Sequence, residues 1–101
     1  MFGLSRQHPS SSRVNGVRAR QLIATGARLV DVRTAGEFLE GHIEGAINVP
    51  LQVIETGAAN LGDKQRSLVV YCRSGGRSAR ARRYLENLGY TVFDLGSVGA
   101  W

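Results

Sequence analysis

Short apolar runs alternate with segments of helical periodicity, and this alternation constrains the fold more than any other feature of the 101 residues. Leu29–Val32, Ala46–Val49, Leu68–Tyr71 and Thr91–Leu95 are too short for helices and rich in β-branched residues, so they read as buried strands. A further short strand is expected near Arg13 and Val14. Between the runs lie four helical segments. In the first, from Gly16 to Thr25, Ala19, Leu22 and Ile23 share a face, with Asn15 as cap and Gly26 as stop. In the second, at 34–40, Thr34 and Glu37 have the spacing of a capping box and Gly41 ends the helix. The third, from 51 to 61, places Leu51, Ile54, Ala58 and Leu61 at helical spacing, weakened by Gly57. The fourth, Arg77 to Leu88, aligns Ala81, Tyr84, Leu85 and Leu88 before Gly89. Strand and helix in alternation predict an α/β fold of three layers: a mainly parallel five-stranded sheet with helices on both faces and right-handed crossovers.

Hydrophobic residues make up 43% and charged residues 21%, which excludes a wholly disordered or fibrous chain. No aliphatic run exceeds three residues, so a membrane-spanning helix of roughly 20 apolar residues is not encoded. Residues 1–12 show no periodicity and no apolar core of signal-peptide length; they read as a mobile tail before one domain at 13–101. The cytoplasm is the simplest location. Cys72 is the only cysteine, so no disulfide forms within the chain. His8 and His42 are far apart and form no zinc-type ligand cluster.

The chemistry concentrates where one buried run ends. Val69-Val70-Tyr71 leads into Cys72-Arg73-Ser74-Gly75-Gly76-Arg77-Ser78, and a helix begins as that loop closes. Ligands of open α/β sheets bind at the carboxyl ends of strands, which is where this cysteine falls. Gly75 and Gly76 let successive N–H groups turn inward as an anion nest, and the helix adds its positive end. Arg73 and Arg77 add full charges at the rim. A thiol in that field has a depressed pKa and is a nucleophile at neutral pH. The same field suits the anionic part of a substrate, so Arg73, Ser74, Gly75, Gly76, Arg77 and Ser78 are candidate binding residues around Cys72. A structural core cysteine has no need of such neighbours.

From about Val14 to Trp101 the chain resembles a single-domain rhodanese, a thiosulfate sulfurtransferase-like protein. Four stretches carry the resemblance: Leu29-Val30-Asp31-Val32-Arg33 with Glu37-Phe38; Gly41-His42-Ile43-Glu44-Gly45-Ala46-Ile47-Asn48-Val49-Pro50; the Cys72–Ser78 loop; and Leu95-Gly96-Ser97-Val98-Gly99-Ala100-Trp101. Glu44 stands where the family often has Pro, and Ser97 replaces the second Gly of the closing segment. The resemblance implies a rhodanese-like fold and two-step exchange. Cys72 takes a sulfane sulfur from a small anionic donor such as thiosulfate, and a thiol or cyanide removes it. It implies no metal and no organic cofactor. With no second cysteine to resolve a persulfide, the acceptor comes from outside the chain; the alternative reading is a persulfide carrier that hands sulfur to a partner protein. Related phosphatases and arsenate reductases carry Cys-x5-Arg. Here Cys72 to Arg77 is Cys-x4-Arg, a smaller nest that suits sulfur better than a phosphoryl group.

The remaining candidates are read as follows. The resemblance gives Asp31 and Arg33 a supporting role near the site; from the residues alone they form an ion pair that holds the loop to Glu37. His42 is expected to pack and make a backbone hydrogen bond, and Trp101 to cover the core. The net charge is +5, and basic residues cluster at Arg73, Arg77, Arg80, Arg82 and Arg83. Only Tyr84 lies among them, so nucleic acid is not an expected partner. The two loop arginines are assigned to steering anions, and the others to a solvated helix face.

Overall fold

A computed structural model describes residues 12–101. Four strands form one parallel sheet: β1 (Arg28–Asp31), β2 (Ile47–Asn48), β3 (Leu68–Cys72) and β4 (Val92–Ser97), in the order β2-β1-β3-β4. Each expected run supplies one of them, with ends shifted by a residue or two. Among the described residues the expected fifth strand does not form. It contracts to one parallel bridge between Arg13 and Asp94, with the Val14 N–H donating to the Asp94 carbonyl at 3.0 Å. On its C-terminal side the limit is local: Asn15 already caps the next helix, so the pairing stops at Val14. Of the expected tail, residues 1–11 lie outside the described residues, while Ser12 is buried.

The sheet is buried on both faces. All five residues of β3 are buried, and their side chains alternate between two clusters. Leu68, Val70 and Cys72 join Val30, Val32, Val92, Ala81 and Leu85 on one face. Val69 and Tyr71 join Leu29, Leu95, Ala19 and Leu22 on the other. Full burial of each such aliphatic side chain contributes about 1.5–3 kcal/mol, so these strands read as unbroken apolar runs and not as alternating ones.

Helix α1 (Gly16–Ala24) is capped as expected by Asn15, whose Oδ1 accepts the Arg18 N–H at 2.9 Å. Gly16 is required there: a Cβ would lie 2.3 Å from the Ala100 carbonyl oxygen. Helix α2 (Ala35–Glu40) has a complete capping box between Thr34 and Glu37. The segment expected as one helix over 51–61 is broken into a 3₁₀ turn (Leu51–Val53), a single helical turn α3 (Ile54–Gly57) and a second 3₁₀ turn (Ala58–Leu61). Val53, a β-branched residue at φ −122°, ψ 25°, interrupts it. Helix α4 (Gly76–Asn87) buries Ser78, Ala81 and Leu85, with Tyr84 half-buried against the same cluster. Among the described residues no helix is long and apolar enough to cross a membrane.

The strand order positions the site. From β1 the chain steps outward to β2, whereas from β3 it steps the other way to β4. The connections therefore diverge at the carboxyl ends of β1 and β3, where an open α/β sheet leaves a crevice. Cys72 ends β3 and Asp31 ends β1, on paired strands.

Candidate active site

Cys72 is the last residue of β3 and is 1% exposed. Its Sγ accepts the Gly75 N–H at 2.9 Å and the Ser78 N–H at 3.4 Å. Gly75, at φ +107°, is the left-handed residue that turns the loop back over the sulfur and the N-cap of α4. It offers α4 no side-chain cap. The first amides of a helix need acceptors from outside it, and here the Cys72 sulfur takes the third, that of Ser78. The cysteine thus caps the helix whose positive end faces it.

Burial pushes the Cys72 thiol up, because charge is costly away from water. Hydrogen bonding from the Ser78 backbone and side chain, and from the Gly75 and Ser74 amides, outweighs burial and holds it below its ordinary value. The Ser78 hydroxyl has one proton, which goes to the Gly75 carbonyl at 3.1 Å. Rotation about the Cβ–Oγ bond re-aims that proton toward an anionic sulfur.

Arg73, Ser74 and Gly76 are exposed around the loop, Gly75 and Arg77 are half-buried, and Ser78 is buried beneath it. Arg73 has no ion pair or hydrogen bond among the described residues. Arg77 is engaged. Its Nη1 and Nη2 donate to the two carboxylate oxygens of Glu37 at 2.7 and 3.1 Å. Arg77 first, then the Thr34 N–H, holds the Glu37 carboxyl down to about 2.

Asp31 and Arg33 pair with each other, and the expected tie from this pair to Glu37 is replaced by the Glu37–Arg77 bridge. Asp31 accepts the Arg33 N–H at 2.8 Å, and Arg33 Nη2 lies 2.7 Å from Asp31 Oδ2. The same Nη2 donates to the Gly41 carbonyl at 2.7 Å, so the pair braces the end of β1 against the end of α2. The hydrogen bond to Asp31 raises the Arg33 pKa further, keeping the guanidinium charged. The pair supports the strand beside the nucleophile: the Val32 N–H donates to the Tyr71 carbonyl at 3.0 Å, one residue before Cys72.

Two contributors were not singled out from the sequence. Tyr71 points away from Cys72 into the other face, where its hydroxyl accepts the Ile43 N–H at 3.1 Å. Burial pushes its phenol up to about 12. Gly96, at φ +84°, follows a register shift in β4 beside Tyr71, and its Cα would lie 3.9 Å from a Cβ on Gly75. His42 packs as expected, stacked 3.6 Å from Phe38 and bonded to the Phe38 carbonyl at 2.8 Å. Trp101 is half-buried on the second cluster, with the Arg20 guanidinium 4.3 Å from its ring. A groove of about 300 Å³ lined by Ile23, Ala27, Arg28, Glu44 and Arg66 opens at the amino ends of β1 and β2, the far end of the sheet from the sulfur.

A parallel sheet with a nest-bound cysteine at its switch point matches a known class. Residues 17–101 match the family model described as Rhodanese-like domain, and the chain belongs to that family. It is 41% identical over 75 residues to a protein named Sulfurtransferase from Allochromatium vinosum, covering 72% of this chain and 69% of that one. It is 37% identical over 107 residues to Thiosulfate sulfurtransferase 16, chloroplastic, of Arabidopsis thaliana, covering 92% and 87%. Among solved structures, the human single-domain sulfurtransferase TSTD1 superposes with a TM-score of 0.69 at 31% identity, covering 89% of this chain and 91% of that one. Sulfur transfer is the chemistry of the family that these relatives define.

Proposed function

We propose that the protein moves sulfane sulfur from a small anionic donor such as thiosulfate to an external thiol or cyanide, through a persulfide on Cys72. The observation that carries the reading is the Cys72 sulfur held by the Gly75 and Ser78 amides at the start of α4. Donors aimed at an anionic sulfur stabilise the thiolate and then the terminal sulfur of a persulfide. In the first step the Cys72 thiolate attacks the outer sulfur of thiosulfate. The new S–S bond forms as the old one breaks, and sulfite leaves with the bonding electron pair. In the second step an acceptor thiolate attacks the terminal sulfur, and the Cys72 thiolate departs. Each step conserves charge and needs no redox partner.

Cys72 is the only cysteine of the 101 residues, so none of these residues can take the sulfur by a second thiol. That favours an outside acceptor, and a protein acceptor would make the chain a persulfide carrier. A thiol that must stay reduced between turnovers fits a reducing compartment such as the cytoplasm. The test is Cys72→Ser, which fills the space but cannot form a persulfide. Its turnover of thiosulfate with cyanide falls to background while its melting temperature stays near that of the parent. Substantial residual turnover would reject Cys72 as the nucleophile.

A further inference from the structure

Arg77 closes the Cys72 loop and is already holding an anion. It is the second residue of α4, directly before Ser78, whose N–H reaches the Cys72 sulfur. The Nη1–Nη2 edge of a guanidinium binds two oxygens of one group, and the Glu37 carboxylate fills that edge at 2.7 and 3.1 Å and offsets its charge. Glu37 does not pay much entropy to do so, because the capping box already fixes it. The Thr34 N–H donates to Glu37 Oε1 at 2.9 Å, and the Thr34 hydroxyl lies 3.2 Å from the same oxygen. The pair is not sealed from solvent: the side chains are 29% and 23% exposed, so a soluble anion can compete for Arg77. Arg73 is left as the loop guanidinium without a partner among the described residues.

We propose that Glu37 is a specificity-determining residue that masks Arg77, leaving the Cys72 loop with one open guanidinium and favouring monoanionic persulfide donors over dianionic thiosulfate. The proposal rests on the sulfur-transfer reading for its donors, but the mask itself is a statement about anion binding. With Glu37 held ionised down to about pH 2, neutral pH never lifts the mask; a donor has to displace it.

Glu37→Gln removes the charge and keeps a side chain that completes a capping box, so α2 is retained. Two measurements on the whole chain separate the ideas. The first is calorimetric binding of inorganic sulfate to Cys72→Ser with and without Glu37→Gln. The second is KM for thiosulfate and for an alkyl persulfide in the chain with native Cys72. Unmasking is expected to tighten sulfate and lower the thiosulfate KM by about tenfold, the size of one charge-assisted hydrogen bond near a surface. The gain shrinks as salt rises and is abolished when Arg77→Ala is added. The persulfide KM falls less, so the preference for persulfide narrows. If sulfate affinity and thiosulfate KM are unchanged or weakened by Glu37→Gln, the mask is wrong. If sulfate tightens as expected but neither donor is turned over by the parent chain, the mask stands as an anion-site property and the sulfur-transfer reading falls, taking the donor preference with it.

Discussion

The Cys72 sulfur accepts the Gly75 N–H at 2.9 Å, closing a four-residue turn that ends on a left-handed glycine. The nucleophile and the residue that stabilises it are therefore fixed by one stretch of backbone. Gly75→Ala puts a Cβ on a residue at φ +107°, and costs about 1 kcal/mol or more in strain. Relief by opening the turn weakens the N–H bond to sulfur. The expected result is a lower denaturation midpoint together with a higher pH midpoint for Cys72 alkylation. A lower stability with an unmoved alkylation midpoint would separate the turn from the thiolate.

The net downward shift of the thiol links pH to stability. A group whose folded pKa is depressed adds stability above its unfolded pKa and loses it as pH falls through the folded one. Stability of the parent chain is thus expected to rise with pH between the lowered Cys72 midpoint and the ordinary thiol value of about 8.5. Cys72→Ser is expected to abolish that rise. Urea denaturation at closely spaced pH values measures it, and an identical slope in both proteins would contradict the lowered pKa.

The elements legible in the sequence are those set by near neighbours. The capping box of Thr34 and Glu37, the Asn15 cap and the turn at Gly75 and Gly76 all act within four residues, so spacing alone reveals them. The strands were legible because burial on both sides leaves unbroken apolar runs, though β2 keeps only Ile47 and Asn48 of its expected four residues. The Glu37–Arg77 bridge spans 40 positions, and no local pattern announces which of Arg33, Arg73 and Arg77 the carboxylate will reach. The break at Val53 was hidden for a similar reason. Apolar positions at helical spacing serve a run of 3₁₀ and α turns as well as a continuous helix, and packing decides between them. On its C-terminal side the expected fifth strand is limited by competition, since Asn15 claims the backbone for α1.

Asp31 and Arg33 form a buried pair, and removing one member strands the charge of the other. Asp31→Ala is expected to cost about 3–5 kcal/mol, the range for breaking such a pair. Chemical denaturation checks it. Arg33→Leu in the same background recovers part of the loss by removing the orphaned charge; no recovery would show that the pair matters through Gly41 and the backbone alone.

Arg73 is exposed and without a partner among the described residues, so Arg73→Ala is expected to leave the melting temperature nearly unchanged. It raises the thiosulfate KM several-fold at low ionic strength, and the effect fades with added salt. A salt-independent effect, or one confined to kcat, would place Arg73 in the chemical step and not in donor capture.

Intact-protein mass spectrometry before and after exposure to thiosulfate tests the central claim most directly. The chain is expected to gain one sulfur atom, localised to Cys72, lost on addition of cyanide and never gained by Cys72→Ser. A chain that takes up no sulfur, or takes it up equally without Cys72, would contradict a persulfide on this cysteine.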